Sequence, residues 1–195
     1  RDKLYKTDNF NLVQILLSKE ERKDGKLIGK YTNAKLKFLR WQKENIFICD
    51  KANAIYFYLQ RFPFKGESKT RLGFIALMRL RESDKSRIYP HEHTYQEHKD
   101  DRFALLKAVK ANLSPIFTLF SDEERQVNLI FNNYVSKNEP LIDIVDSDAI
   151  GHKVWRLSDE KLIHRLTDYM KNKNIFIADG HHRYEVACEY RDNLL

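Results

Sequence analysis

Cysteine is scarce in this sequence. Only 2 occur in 195 residues, Cys49 and Cys188, which excludes a disulfide-dense secreted scaffold and a zinc ribbon and makes the reducing cytoplasm the expected setting. Glycine (6) and proline (4) are also few, so collagen-like and low-complexity chains are excluded. No apolar run reaches the roughly 18 to 20 residues that span a bilayer. The opening Arg1-Asp2-Lys3 lacks the apolar stretch of a secretory signal.

What is present is the material for a core, with 42% hydrophobic residues that include 12 Phe, 10 Tyr and 2 Trp. A chain of 195 residues suffices for one good-sized domain or two small ones, at about 100 to 200 residues each. Lys and Arg number 35 against 28 Asp and Glu, a net charge of +7. That balance favours anionic partners: nucleotides, phosphorylated small molecules or nucleic acid. The basic residues are spread along the chain, as in Lys35, Lys37 and Arg40 or Arg79 and Arg81, which is also the pattern of ordinary solvated faces. The missing initiator Met, and an end at Leu194-Leu195 straight after a helix-like segment, lead us to expect a piece of a longer polypeptide.

Along the chain, Leu36, Leu39 and Trp41 recur among charges at helical spacing over Asn33 to Glu44, with Thr32 or Asn33 as the expected N-cap. Residues 54–59 and 72–78 read as paired strands joined by the polar turn 65–68. Residues 88–94 break all periodicity, and Pro90 disfavours helix before it, so a loop or a strand end is expected. A helix is expected over 95–110, ended by Ser114-Pro115. A strand over 116–120 follows. Ser121 and Glu124 form a capping-box pattern that should open a helix running to about Tyr134. Two short strands, 142–145 and 153–157, flank the turn 146–148, and Ser158-Asp159-Glu160 should cap a helix through Met170. Cys49, Cys188, Trp41 and Trp155 are expected in the core. Tyr56, Tyr58 and Tyr95 are expected to pack against a neighbouring face or to stack on bases.

The strongest signal is Ile175-Phe176-Ile177-Ala178-Asp179-Gly180-His181-His182-Arg183-Tyr184-Glu185-Val186-Ala187. A buried strand over 175–178 followed by a helix beginning within two residues of Gly180 would present backbone N–H groups and a positive dipole end at the strand's carboxyl edge, where anions bind. Gly180 would let the backbone approach a phosphate closely, and Arg183 would offer a fork of donors to phosphate oxygens. His181 and His182 could donate hydrogen bonds or transfer protons near neutral pH. Asp179 is repulsive beside a phosphate unless it holds Mg²⁺, accepts a hydroxyl proton or pairs with Arg183. The plainer alternative has Asp179 capping the helix and bridging to Arg183.

A second cluster is Tyr89-Pro90-His91-Glu92-His93-Thr94. His91 and His93 share one face of an extended segment, which suits metal ligation, paired donors to one ligand or a structural loop. No third metal ligand is evident. The helix that follows carries His98, Asp101 and Arg102 near its start, a possible second anion contact. Two His-rich segments are most economically explained by one shared site, so the 91–94 loop is expected within side-chain reach of the 179–183 turn.

The His91 to Thr94 segment, Ser114-Pro115-Ile116-Phe117, His152-Lys153-Val154-Trp155-Arg156-Leu157 and the Ala178 to Tyr184 segment, in this order, resemble the prokaryotic domain of unknown function 1015 family over roughly residues 50–192. The Asp-Gly-His-His-Arg element also resembles the phosphate-binding motif of the ParB/sulfiredoxin superfamily, which includes chromosome-partition nucleotidases, sulfiredoxins and free-serine kinases. That resemblance implies phosphate contacts from Gly180, His181, His182 and Arg183, and a catalytic or Mg²⁺-associated role for Asp179. The Gly-Gly-Cys-His form of sulfiredoxins is missing and Cys188 lies within the expected helix, which argues against sulfiredoxin chemistry. The expected fold is α+β: a ParB/sulfiredoxin-like unit with an additional mixed sheet and helices, forming a single unit over residues 1–195. Within it, residues 51–195 are the family-like region that ends in the phosphate motif, and residues 1–50 an N-terminal part of looser resemblance.

The expected function is nucleotide or phosphate binding, with a Mg²⁺-dependent small-molecule kinase as its fullest form. Asp179 and His182 would be the catalytic residues, Asp179 the metal ligand, and Gly180, His181, His182, Arg183, His91, His93 and Arg102 the residues holding ATP or another nucleotide. The alternatives are a ParB-like, nucleotide-responsive DNA-binding or regulatory protein and a non-catalytic structural domain.

Overall fold

The structure is a computed structural model that describes residues 1–80, 87–92 and 95–194, the side chains of Glu97 and His98 excepted. In chain order the elements are α1 (Asp2–Thr7), α2 (Val13–Leu16), β1 (Glu21–Lys23), β2 (Lys26–Ile28), α3 (Lys30–Lys43), β3 (Ile55–Phe64), β4 (Glu67–Ile75) and β5 (Ile88–Tyr89). There follow α4 (Gln96–Val109), β6 (Phe117–Leu119), α5 (Gln126–Val135), β7 (Ile142–Val145), β8 (Gly151–Leu157), α6 (Glu160–Met170), β9 (Ile175–Asp179) and α7 (His181–Asp192). The fold is α+β, and no helix among the described residues is long and apolar enough to cross a membrane.

The chain divides into two compact units, each assembled from separated segments: Arg1–Cys49, Pro90–Thr118 and Ile177–Leu195 in the first, Asp50–Tyr89 and Leu119–Phe176 in the second. Its first passage between them falls at Cys49–Asp50.

In the first unit, Ile15, Ala34, Trp41, Leu105 and Val109 from α2, α3 and α4 form the core. Phe10 and Phe47 meet the Trp41 ring edge-on, at centroid distances of 5.8 and 5.3 Å. β1 and β2 pair across Asp24-Gly25, both left-handed, the backbone that a two-residue hairpin turn needs. α3 starts earlier than expected. Its N-cap is Gly29, whereas Asn33 lies within the helix and donates its side-chain amide to the Lys19 carbonyl, so neither Thr32 nor Asn33 caps it. Its end is a Schellman motif: Asn45 turns left-handed, Ile46 N–H donates to Trp41 O and Asn45 N–H to Gln42 O. α4 stops at Val109 because Lys110 takes the left-handed conformation, within a residue of the end at 110 expected from the sequence, so the chain leaves the helix before Ser114-Pro115 is reached.

The second unit is a four-stranded antiparallel sheet in the order β4-β3-β8-β7, packed against α5 and α6. Ile55 and Phe57 of β3 alternate inward to meet Trp155 and Leu157 of β8, with Val127, Ile130, Phe131 and Leu166 from the helices. Phe57 is fully buried and meets the Phe131 ring edge-on at 5.0 Å; burial of such a side chain contributes about 1.5 to 3 kcal/mol. Lys65 and Gly66 are both left-handed, which closes the β3–β4 hairpin in two residues.

The capping box at Ser121 and Glu124 does not form. α5 opens five residues after Ser121, behind a left-handed Arg125, and the Asp122 carboxylate receives the Val127 and Asn128 N–H groups. Ser121 instead donates to Glu123. The start of α6 is as expected, since Asp159 accepts from Leu162 N–H at 3.0 Å.

The third sheet has the order β5-β9-β6, with Ile88 and Tyr89 parallel to Ile175 and Phe176. β9 is less buried than its apolar sequence predicts: Ile177 is buried, but Phe176 is 51% exposed on the opposite face. Trp41 and Trp155 are core residues, whereas Cys49 is exposed and Cys188 only partly covered. Tyr95 is 76% exposed.

Candidate functional site

The site is built on the turn from β9 into α7, within the first unit. Asp179 ends the strand, Gly180 is left-handed (φ 96°), and α7 begins at His181. No side chain caps α7. Gly180 O accepts the Tyr184 N–H at 3.0 Å and closes the first turn, which leaves the N–H groups of that turn at the helix entrance, where the dipole is positive.

His181 is 3% exposed. Its Nε2 accepts the backbone N–H of His91 at 3.4 Å, its Nδ1 lies 3.5 Å from a Glu92 carboxylate oxygen, and its ring stands edge-on to His91 at 4.5 Å. His182 repeats the device, since its Nε2 accepts the Tyr95 N–H at 3.1 Å. Adjacent histidines thus hold the backbone on either side of residues 93–94. The geometry assigns the proton of each ring to Nδ1, because Nε2 serves as an acceptor. Lys99 and Glu185 form an ion pair at 3.2 Å, and Phe103 meets Tyr190 edge-on, joining α4 to α7.

The described part of the 91–94 loop and the 179–183 turn therefore meet. Several expected roles change at this junction. Arg183 turns back onto Asp179 at 2.7 Å, the plainer of the two arrangements foreseen, although Asp179 does not cap the helix. A Cβ on Gly180 would stand 2.7 Å from the Arg183 guanidinium. The space expected to admit a phosphate beside Gly180 is thus filled by that guanidinium. The His181 and His182 Nε2 atoms accept hydrogen bonds and so donate none to a ligand in this arrangement.

Arg102 is half-buried on α4, and among the described residues no hydrogen bond or ion pair links it to the turn. Its neighbour Asp101 is taken by Lys30 Nζ at 2.6 Å and by the Tyr31 hydroxyl at 2.9 Å. The Lys30 hydrogen bond, ahead of that from Tyr31, holds the Asp101 carboxyl below the ordinary carboxylate range. His93 and the His98 side chain lie outside the described residues. No group of three or more His, Cys, Asp and Glu side chains that could hold a metal occurs among the described residues.

The second unit holds a polar chain that the sequence reading missed. The Tyr58 hydroxyl meets His152 Nδ1 at 2.6 Å, and His152 Nε2 meets Asp146 at 3.0 Å. The other Asp146 oxygen accepts the Asp148 and Ile150 N–H groups, each at 2.9 Å. The His152 hydrogen bond is the main cause that lowers the Asp146 carboxyl, while burial pushes the Tyr58 phenol up. The Asp-Ser-Asp turn was legible in the sequence, but the β3–β8 register that brings Tyr58 to His152 was not.

An α+β chain in which His91 and Tyr95 are fastened to a strand-to-helix turn is the class that fold and site define. The whole chain, residues 1–195, matches the family described as Protein of unknown function (DUF1015), and the chain belongs to that family. No match was found among curated proteins or among solved structures.

Proposed function

We propose that this protein binds a phosphate-bearing small molecule, with a nucleotide as the fullest form, at the entrance of α7. The observation that carries the reading is that entrance: first-turn N–H groups without a side-chain cap and an arginine held at the mouth by an exposed carboxylate. Binding exchanges partners. A phosphate takes the place of Asp179 against the Arg183 fork and collects the helix N–H groups. His181 and His182 are positioning residues, which hold the facing loop through its backbone rather than contacting the ligand through Nε2.

The resemblance of Asp179 to Arg183 to the phosphate turn of the ParB/sulfiredoxin superfamily supports the same ligand class and suggests phosphoryl transfer. Mg²⁺ binds through one or two carboxylates plus phosphate oxygens and water. Asp179, released from Arg183, fits that donor set as the single protein carboxylate, and the ion would supply charge neutralisation of the phosphates. In the kinase form, Asp179 alternatively accepts the proton of a substrate hydroxyl.

The test is a thermal-shift panel of ATP, ADP, CTP, pyrophosphate and DNA, each with and without Mg²⁺. A rise in melting temperature with the phosphate compounds is expected, and it should grow with ligand concentration. A rise with DNA alone would favour the ParB-like nucleic-acid reading, and no rise with any compound would contradict the proposal.

A further inference from the structure

The second unit holds a cavity of about 260 Å³ in the groove between α5 and α6, and it draws on no residue of the α7 entrance. Its apolar walls are Ile130, Leu162 and the ring of Tyr134. Ile130 is 3% exposed and belongs to the core, while the Tyr134 hydroxyl donates to Arg156 O at 2.6 Å, which fixes the ring as a wall.

Two cations, Lys137 and Arg165, stand in the lining, and no carboxylate is among the residues that line the cavity. Arg165 donates to the neutral Gln126 side chain at 2.8 Å. Among the described residues neither cation has an ion-pair partner, whereas Lys19, Lys30, Lys37, Lys99 and Lys153 each do. The acids nearest in sequence, Glu139 and Asp168, form no ion pair with them.

An apolar hollow with a few convergent polar groups is the usual form of a small-molecule site. A guanidinium fork held by a neutral amide keeps donors for a planar or tetrahedral anion, and a lysine on the same lining adds a second positive charge. We propose that this cavity binds a small amphipathic anion, a carboxylate or phosphate monoester on an apolar body about the size of one aromatic ring. The anionic head would meet Arg165 and Lys137, and the body would lie against Ile130, Leu162 and Tyr134. Its volume of about 260 Å³ lies just below the range of about 300 to 1,000 Å³ typical of drug-sized sites, which suits a body of one ring.

The test is amide-resolved NMR titration of the full 195-residue chain with phenylacetate, phenyl phosphate, inorganic phosphate and benzyl alcohol. Phenylacetate or phenyl phosphate should shift the amides of 130–138 and 162–165 to saturation, and benzyl alcohol, which has the ring without the charge, should bind at least about tenfold more weakly. Arg165→Gln and Lys137→Gln, both at exposed positions, should each weaken binding about tenfold while leaving the remaining spectrum unchanged. Inorganic phosphate acting as strongly as the aryl anions would mean charge attraction without a site and would overturn the proposal. So would benzyl alcohol binding equally well, unchanged affinity in both variants, or saturable shifts confined to residues outside the groove.

Discussion

His91 gives its backbone N–H to Nε2 of His181, 3.4 Å away, and stands edge-on to that ring at 4.5 Å. A residue 90 positions earlier in the chain is thereby fastened to the first residue of α7, and the second histidine of the pair fastens Tyr95. Both Nε2 atoms of the motif that reads as ligand chemistry in the sequence thus accept backbone N–H groups, those of His91 and Tyr95.

Replacing His181 with Ala should therefore destabilise the chain. The variant opens a hole in a site that is 3% exposed and leaves the His91 N–H without its acceptor, at a combined cost of about 2 to 4 kcal/mol. Urea denaturation of His181→Ala and wild type measures it. A difference below about 0.5 kcal/mol, the range of ordinary surface substitutions, would contradict the fastening.

Gly180→Ala acts through the backbone. At φ 96° a Cβ is strained whatever the space around it, a cost of about 1 to 2 kcal/mol. The same Cβ would drive the Arg183 guanidinium out of its place over residue 180. Combining Gly180→Ala with Arg183→Ala should remove the steric part and leave the backbone part, so the double variant should be less destabilised than the sum of the singles. Denaturant midpoints of the four proteins decide, and strict additivity would show that the two side chains do not compete for that space.

The strand-to-helix turn was legible because it rests on local rules. An apolar run, Asp-Gly and a return to helical spacing fix β9, the left-handed Gly180 and α7 whatever the rest of the chain does. The cap at Asp159 and the hairpins closed at 24–25 and 65–66 are local in the same way, though we read only the second hairpin from the sequence. What failed depended on competition. Asp122, not Ser121, receives the α5 amides. The present partners of Arg183 and the histidines were not legible, because composition shows which donors and acceptors are present but not which partner each has taken. The Tyr58–His152 contact needed a sheet register that no local pattern specifies.

Asp101 should make stability depend on acidity. Its carboxyl titrates lower in the folded chain than in the unfolded one because Lys30, and then Tyr31, hydrogen-bond the charged form. The unfolded state therefore binds the proton more readily. The stabilisation is full above the unfolded value near pH 4 and is lost as pH falls through the lower folded value. Asp101→Asn should lose stability at pH 7 and should show a weaker further loss than wild type between pH 5 and pH 2. Parallel denaturation curves for both proteins over that interval would contradict this assignment.

Tyr58, His152 and Asp146 should behave as one network. Tyr58→Phe removes a single hydroxyl hydrogen bond and should cost about 0.5 to 1.5 kcal/mol. His152→Ala removes both contacts and should cost more. In the double variant the penalties should fall short of their sum by at least about 0.5 kcal/mol, since the Tyr58 hydroxyl has already lost its partner. A double-mutant cycle in urea measures the coupling, and a value indistinguishable from zero would contradict the chain of contacts.

The central claim is anion binding at the entrance of α7, and calorimetric titration of wild type and Arg183→Ala with pyrophosphate, with and without Mg²⁺, tests it most directly. The charge-assisted contact is worth about 1.5 to 3 kcal/mol, so Arg183→Ala should bind about ten- to one-hundred-fold more weakly while its circular dichroism spectrum remains that of the folded protein. Equal affinity in the two proteins, or no heat of binding in the wild type under either condition, would contradict the account.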